Sequence, residues 1–279
     1  MAKNEVVITQ DDRYAARIFL NAALPLLRVV AVDYPNLKKK FDKKSFIFQV
    51  SALDKEAPKG KIATYFTIEN GVWTTHINDV CDAPDLEFEF SDIRKFVIFF
   101  SGKGMPMPKI KGMSKLGKLV PILQALLKMA GLLQSTSVPK KETDAAELVK
   151  LYFYLLPNGI SQLNKAGHPL ATKFAQNSPD RIWALQVKDD PVLASWIRVK
   201  DGNSKAGRGI NERCAPFLTM EFDNVEHALG ILMGTGDMLD YVSKKFLIIN
   251  GAPEMAADLG NLLFAVGDFA KGIYLDKQQ

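Results

Sequence analysis

The sequence contains few of the residues that build disulfide frameworks, metal sites and catalytic centres. Its 279 residues include two cysteines, Cys81 and Cys214, and three histidines, His76, His168 and His227. Two cysteines do not make a disulfide framework, and no two of the histidines have the spacing of metal ligands. We therefore expect no cofactor, no metal and no enzymatic activity.

Two short motifs could still carry chemistry. Residues 76–82 bring His76, Asp79, Cys81 and Asp82 within one segment, but a polar strand-to-turn segment explains the same residues, and we favour it over a metal or thiol-catalytic site. The Gly-x-Gly runs at 102–104 and 234–236 continue as neither a phosphate loop nor a dinucleotide fingerprint. Both are interpreted as turns.

The first residues also lack an apolar core followed by a small-residue cleavage site, so we expect no secretory signal. The apolar stretch 15–33 contains Arg17 and Arg28, which would be costly inside a bilayer, and it predicts a buried or amphipathic helix. The expected location is the cytoplasm. An isoelectric point near 9.0 favours nucleic acid as a partner, but the basic segment lacks the interleaved exposed aromatic residues and the recognised modules that such binding usually shows, and we expect no nucleic-acid binding.

What the sequence does contain is a pattern that occurs twice. Residues 61–71 match residues 192–202 without a gap, and the two runs end in Asn70-Gly71 and Asp201-Gly202, a strong hairpin signal. Upstream, Phe46, Phe48, Gln49 and Val50 are matched with Trp183, Leu185, Gln186 and Val187. Agreement in order, spacing and turn residues predicts a tandem duplication, with a first module at 1–136 and a second at 137–279.

The sequence pattern of each module predicts a leading helix, three hairpin-connected strands, a fourth strand, a short helix, a fifth strand and a final helix. This order indicates an α+β fold, with an antiparallel sheet of about five strands covered by helices in each module. Alternation places Ile62, Thr64, Phe66 and Ile68 on one side of their strand. The corresponding set in the second module is Leu193, Ser195, Ile197 and Val199.

The second module resembles a known family. Residues 218–222, 228–234, 246–251 and 259–263 give a strand, a short helix, a glycine-marked turn, a strand ending in glycine and an apolar helix. Over 182–271 this pattern is similar to a sterol-carrier-protein-2-like domain, and the first module matches mainly through the second. The resemblance implies an antiparallel sheet covered by helices, with a hydrophobic tunnel for a sterol, fatty acid or other lipid.

Apolar side chains on the predicted sheets and final helices are the candidate cavity lining. A packed core explains the same pattern, because dense packing is the normal state of protein interiors, and the alternative function is a ligand-free interaction scaffold or accessory subunit. A hydrolase acting on acyl chains is a third possibility, for which the sequence offers no nucleophile. The candidate lining residues are Trp183, Leu185, Ile197, Phe222, Leu262, Leu263 and Val266 in the second module, and Phe48, Phe66, Phe90, Leu123 and Leu127 in the first.

Charge distinguishes the two modules. Residues 93–141 contain ten basic residues and no acid, whereas residues 224–272 contain six acids and three lysines. Lysines near Met105 and Met107 suit an anionic membrane surface or an acidic protein partner; a solvated face, or docking on the acidic module, is the alternative. The candidate docking residues are Lys103, Lys109, Lys111, Lys115 and Lys118.

Overall fold

The computed structural model describes residues 7–276, which form two compact units. Unit 1 comprises residues 7–129 and 268–276, and unit 2 comprises residues 130–267. The sequence predicts a boundary after residue 136 and one continuous module on each side of it. The units differ from that division because the chain returns to unit 1 at residue 268.

Unit 1 is built on a five-stranded sheet of order β3-β2-β1-β4-β5. Its strands are β1 Phe46–Leu53, β2 Lys61–Glu69, β3 Val72–His76, β4 Leu86–Phe90 and β5 Lys109–Lys111. Its helices are α1 Gln10–Ile18, α2 Leu26–Asp33, α3 Pro35–Phe41, α4 Ile93–Phe100 and α5 Leu116–Leu133, the last of which runs past residue 129 into unit 2.

Unit 2 has a sheet with the same connectivity, β8-β7-β6-β9-β10. Its strands are β6 Arg181–Val187, β7 Asp190–Lys200, β8 Asn203–Arg208, β9 Leu218–Phe222 and β10 Leu247–Asn250. Its helices are α6 Glu142–Lys165, α7 Pro169–Asn177, α8 Val225–Leu232, α9 Met238–Ser243 and α10 Pro253–Ala270, of which α10 ends in unit 1; α11, Ile273–Asp276, belongs to unit 1. The predicted α+β class is thus confirmed, with two helix-covered sheets.

The prediction that both sheets are antiparallel is wrong for one strand pair in each sheet. β1 pairs with β4, and β6 with β9, in parallel. The reason is the connection between β3 and β4, which must carry the chain back along the sheet before β4 can begin. Residues 77–85 make this crossing over the outer face of the sheet, where Cys81 N donates to Gln49 Oε1.

The predicted hairpin turns are present. Asn70 and Gly71 between β2 and β3, and Asp201 and Gly202 between β7 and β8, all have positive φ. Two consecutive residues with positive φ match the right-handed twist of the flanking strands. The dipeptides therefore set the register of both hairpins, as expected.

Strand registers also correct one sequence match. Thr64 lies opposite Val50 in unit 1, and Ser195 lies opposite Leu185 in unit 2. If Thr64 and Ser195 are equivalent, Val50 corresponds to Leu185 and Phe48 to Trp183, two residues away from the match made on the sequence. A shift of two keeps every side chain on its face of the sheet, so alternation alone cannot detect it.

The leading helix of unit 1 is interrupted by a π-helical turn, Phe19–Ala23. There Leu24 N donates to Phe19 O, five residues earlier, at 2.8 Å. The next hydrogen bond of this pattern would require the N–H of residue 25 to donate to Leu20 O. Pro25 has no N–H, so Thr64 Oγ1 on β2 donates to Leu20 O instead, at 2.8 Å. In unit 2, α6 contains Pro157 and remains α-helical.

Two helical stretches, Gln10–Asp33 and Leu116–Leu133, are long and apolar enough to cross a membrane by length and composition. The core helix of a soluble protein can meet the same criteria. The first stretch is 78% buried, as expected for a helix packed on a sheet, whereas only 33% of the second is buried.

Candidate functional site

The predicted lining residues of unit 2 meet in one interior. Trp183, Leu185, Ile197, Phe222, Leu262 and Val266 are buried, and Leu263 is half-buried. Helix α6 covers this side of the sheet, with the Phe153 ring 6.1 Å from that of Phe222. A Cβ on Gly159 would overlap Val266, so α10 packs closely on α6 at this glycine. The sequence thus identified residues that share one interior, and a cavity there stays a prediction.

Polar atoms without partners distinguish this interior. Trp183 Nε1 and Ser195 Oγ are buried and have no hydrogen-bond partner among the described residues, as is true of Thr172 Oγ1 and Ser178 Oγ nearby in the chain. Within residues 7–129 and 268–276 of unit 1, no such atom occurs. Native proteins satisfy most buried polar groups, so these atoms require an explanation.

The side chains around Trp183 are aromatic. Its ring lies 5.0 Å from Phe174 on α7 and 5.4 Å from Phe217. Ser195 lies on the same face of the sheet, diagonally across from Trp183, because Trp183 pairs with Ile197 and Ser195 with Leu185. An indole N–H and a hydroxyl therefore lie on the face of the sheet that α6 covers. Ser204 of β8 lies on this face too, but its hydroxyl contacts Ser161 and Asn164 of α6.

The predicted lining residues of unit 1 lie in a packed aromatic core. Phe48 stacks on Phe66 at 6.1 Å, and Phe66 contacts Trp73 edge-on at 5.5 Å. Phe90 lies 5.5 Å from Phe96 on α4. The Thr64 hydroxyl donates to Leu20 O, so it differs from the Ser195 hydroxyl of unit 2, which has no partner among the described residues.

The two lining candidates on α5 require a correction. Leu127 is 71% exposed, so the prediction that it lines an interior cavity is wrong, and Leu123 is only half-buried. The buried face of α5 contains Leu119, Ile122, Ala125 and Met129 instead. The sequence could not choose between the two faces because both are apolar.

Four of the five predicted docking lysines are held in ion pairs within unit 1. Lys103 Nζ lies 2.6 Å from Asp276, Lys111 Nζ lies 2.9 Å from Glu87, and both Lys115 and Lys118 contact Asp85. Burial raises the pKa of Asp85, but hydrogen bonds from these two lysines outweigh burial and lower it. Only Lys109 is exposed with no partner among the described residues.

Sequence reasoning missed a buried polar network on the outer face of the first sheet. Glu87 is buried and accepts hydrogen bonds from Gln49, Ser51, Lys61 and Lys111, at 2.7–2.9 Å. Burial raises the pKa of Glu87, but the donors, led by Lys61 and Lys111, lower it to about 2. Alternation along β4 predicts that Glu87 points outward; the crossing of residues 77–85 over this face was the missing information.

Two further features do not involve the predicted lining residues. The His76 ring stacks on Tyr65 at 4.3 Å and contacts Thr67 Oγ1, and the described residues contain no group of three or more His, Cys, Asp or Glu that could hold a metal ion. An open polar depression of about 740 Å³ is lined by residues 176–179 and 201–203 of unit 2. It is not the apolar cavity that the sequence predicts.

Comparisons with known proteins add little. No protein-family model matches the chain, and a search of curated proteins finds no match. One similar solved structure is that of a conserved hypothetical protein from Thermus thermophilus, described as a candidate sterol carrier protein. It is 17% identical, the match covers 50% of this chain and 92% of the Thermus chain, and the TM-score is 0.28. A likeness of this strength carries no functional conclusion, so the proposal below depends on the geometry of unit 2.

Proposed function

We propose that unit 2 binds a hydrophobic molecule that carries one polar group, such as a fatty acid or a sterol. The observation that supports this is the pair of buried, unpartnered polar atoms Trp183 Nε1 and Ser195 Oγ in an apolar interior. Each unmade hydrogen bond of this kind costs about 1–3 kcal/mol. The polar group of a bound ligand would supply both missing partners.

The chemistry of the two atoms limits the ligand's polar group. An indole N–H can only donate, whereas a hydroxyl donates or accepts. The diagonal between Trp183 and Ser195 corresponds to roughly 7–8 Å between Cα atoms, short enough for one group to meet both side chains. A carboxylate can accept from both, and a sterol hydroxyl can accept from Trp183 and bond to Ser195. The apolar part would lie among Leu185, Ile197 and Phe222.

The resemblance to a sterol-carrier-protein-2-like domain gives the same ligand class. We propose that the two units arose by duplication, which the shared strand order and the matching hairpins support. We also propose that the protein acts in the cytoplasm, binds or transfers its ligand, and catalyses no reaction. Unit 1 is the better candidate for the alternative role, a ligand-free scaffold, because Phe48, Phe66 and Trp73 fill its interior.

Native mass spectrometry of the purified full-length protein, with extraction of bound lipid, tests this proposal. We expect a copurified lipid, and uptake of a fluorescent fatty acid by the lipid-free protein. Ser195→Ala and Trp183→Phe should each weaken uptake about fivefold to tenfold, since one hydrogen bond is worth about 1 kcal/mol. Leu262→Trp, which fills the interior, should abolish it.

Trp196→Phe is the matched control, because Trp196 lies next to Ser195 on the opposite face of β7. It should leave uptake unchanged. Folding of each variant is checked by circular dichroism. The proposal is wrong if the protein carries no lipid and if Leu262→Trp, Ser195→Ala and Trp183→Phe all leave uptake unchanged. Unit 2 would then have a filled core, as expected for a ligand-free scaffold.

A further inference from the structure

Helix α5 presents an apolar face to solvent. Leu116, Val120 and Leu127 are 62%, 47% and 71% exposed, and their spacing of four and eleven residues places them on one side of the helix. We call these three residues the α5 outer face. Soluble proteins seldom leave contiguous apolar surface without a use, and the opposite side of α5 is already buried in the unit 1 core.

A row of lysines borders this face. Lys40 Nζ donates to Gln124 Oε1 at 2.6 Å, Lys44 Nζ donates to Gly117 O, and Lys128 Nζ lies 4.5 Å above the Tyr34 ring. Gly117, Gln124 and Lys128 follow one another along the same edge of the α5 outer face, at spacings of seven and four. Helix α3 and the residues after it therefore run beside α5, in the opposite direction.

The lysines of this segment are not neutralised. Lys38, Lys39, Lys40, Lys43 and Lys44, here called the α3 lysines, form no ion pair with a carboxylate of the described chain 7–276. Lys40 and Lys44 contact uncharged oxygens, and Lys38, Lys39 and Lys43 are exposed. Helix α5 itself contains no acidic residue. A cluster of five lysines that form no ion pair among the described residues thus lies beside α5, whereas the lysines at 103, 111, 115 and 118 are ion-paired.

We propose that the α5 outer face and the α3 lysines together dock on an anionic lipid bilayer. The apolar side chains would enter the boundary between headgroups and acyl chains, and the lysines would face anionic headgroups. Charge composition favours a bilayer over a protein partner, because lysine is depleted in protein–protein interfaces and typical of helices that lie on membranes. Such docking is independent of the ligand proposed for unit 2.

Sedimentation of the full-length protein with vesicles tests the charge requirement. We expect binding to phosphatidylcholine vesicles that contain phosphatidylserine, weaker binding at high ionic strength, and little binding to phosphatidylcholine alone. Each lysine near the surface changes affinity roughly fivefold, so removing three should lower it on the order of a hundredfold. The triple variant is Lys38→Gln, Lys39→Gln and Lys43→Gln.

A second triple variant controls for net charge. It removes three exposed lysines of unit 2 and should bind the anionic vesicles nearly as well as the unmodified protein. Equal losses in the two triple variants would overturn the proposal, since net charge alone would then explain binding. The control substitutions are Lys173→Gln, Lys188→Gln and Lys205→Gln.

Leu127→Ser tests the apolar requirement without touching the core. We expect about a tenfold loss of vesicle binding, from the transfer of one leucine side chain. Leu239→Ser is the matched control, because Leu239 on α9 is also exposed, and it should have no effect. If Leu127→Ser leaves vesicle binding intact and instead abolishes self-association in sedimentation velocity, a second copy of the chain covers this face and the proposal is wrong.

Discussion

Units 1 and 2 share a strand order, yet they differ in how their buried polar groups are satisfied. In unit 1 the Thr64 hydroxyl donates to Leu20 O, and the buried Glu87 carboxylate has four donors. In unit 2 the hydroxyl of Ser195, at the position equivalent to Thr64, has no partner within the part of the chain that the structure describes. Thr219 occupies the position that Glu87 has in unit 1. One topology therefore supports both a closed polar network and an interior that still lacks hydrogen-bond partners.

Unfolding of each unit can be followed separately. Trp73 is the tryptophan of unit 1, and Trp183 and Trp196 belong to unit 2. A variant that keeps Trp73 alone reports the unfolding of unit 1 through its tryptophan fluorescence, and a variant that keeps Trp183 and Trp196 reports that of unit 2. Urea unfolding of these two kinds of variant measures the stability of unit 1 and of unit 2 separately.

The largest expected effect comes from Glu87→Ala in unit 1. It leaves Gln49 and Ser51 buried without their acceptor and Lys61 without its buried partner, so we expect a loss of about 3 kcal/mol in the free energy of unfolding. Glu221→Ala is the control in unit 2, where Glu221 is half-buried and accepts from Gln186. It should cost below about 1 kcal/mol. Equal losses in the two units would remove the contrast between them.

Acid should destabilise unit 1 before it affects the packing of unit 2. The pKa of Glu87 is about 2 in the folded chain, against an ordinary value of 4.5. A carboxyl with a lowered pKa stabilises the fold above its unfolded pKa and loses that contribution as the pH falls from about 4.5 towards 2. The contribution is on the order of 3 kcal/mol. A pH titration of Trp73 fluorescence in moderate urea measures it; an unchanged midpoint between pH 5 and pH 3 would contradict it.

Thr64→Val and Ser195→Ala form the most direct pair. Thr64→Val keeps the side-chain shape but leaves Leu20 O without a donor in a buried site, which should cost about 2 kcal/mol. Ser195→Ala removes a hydroxyl that has no partner among residues 7–276, so the lipid-free protein should lose almost no stability, or gain some. Urea midpoints of the lipid-free variants decide this. A loss of about 2 kcal/mol on Ser195→Ala would mean that its hydroxyl already has a partner.

The smallest effect concerns the C-terminal part of unit 1. Tyr274 Oη donates to the buried Asp12 carboxylate at 3.0 Å, and Asp12 also accepts from Thr9 N and Arg94. Tyr274→Phe should cost about 1 kcal/mol, since the other donors remain. Tyr65→Phe, whose hydroxyl makes a long, exposed contact with Asp79, should change stability by less than about 0.5 kcal/mol. Urea unfolding of the variant that keeps Trp73 alone measures both changes in the free energy of unfolding.

Local patterns predicted most of the fold. Alternation and the Asn-Gly and Asp-Gly turns gave both hairpins, and the apolar stretch 15–33 is a buried helix, as expected. Four short helices, α3, α7, α9 and α11, were not predicted, because each has too few turns to show a clear apolar period. The π-helical turn depends on how Leu20 O meets Thr64, a contact between residues far apart in the chain.

The candidate site was predicted only in part. Side-chain alternation correctly grouped Trp183, Leu185 and Ile197 on one inner face, because that grouping requires nothing beyond the strand period. The sequence could not show that Leu127 lies on the solvent side of α5. It also could not show that Asp85 and Glu87 form ion pairs with nearby lysines. Those outcomes depend on tertiary neighbours. The α3 lysines were overlooked because their proximity to α5 is not visible in a charge count along the sequence.

The return of the chain to unit 1 at residue 268 has a consequence for synthesis on the ribosome. Tyr14 packs against Phe269, and Asp12 receives a hydrogen bond from Tyr274, so the first helix meets these neighbours only when residues 269 and 274 have emerged. Unit 2 is complete before that moment. We expect unit 2 to fold first. Until residue 274 has emerged, the Asp12 carboxylate of the first helix lacks the hydrogen bond from Tyr274.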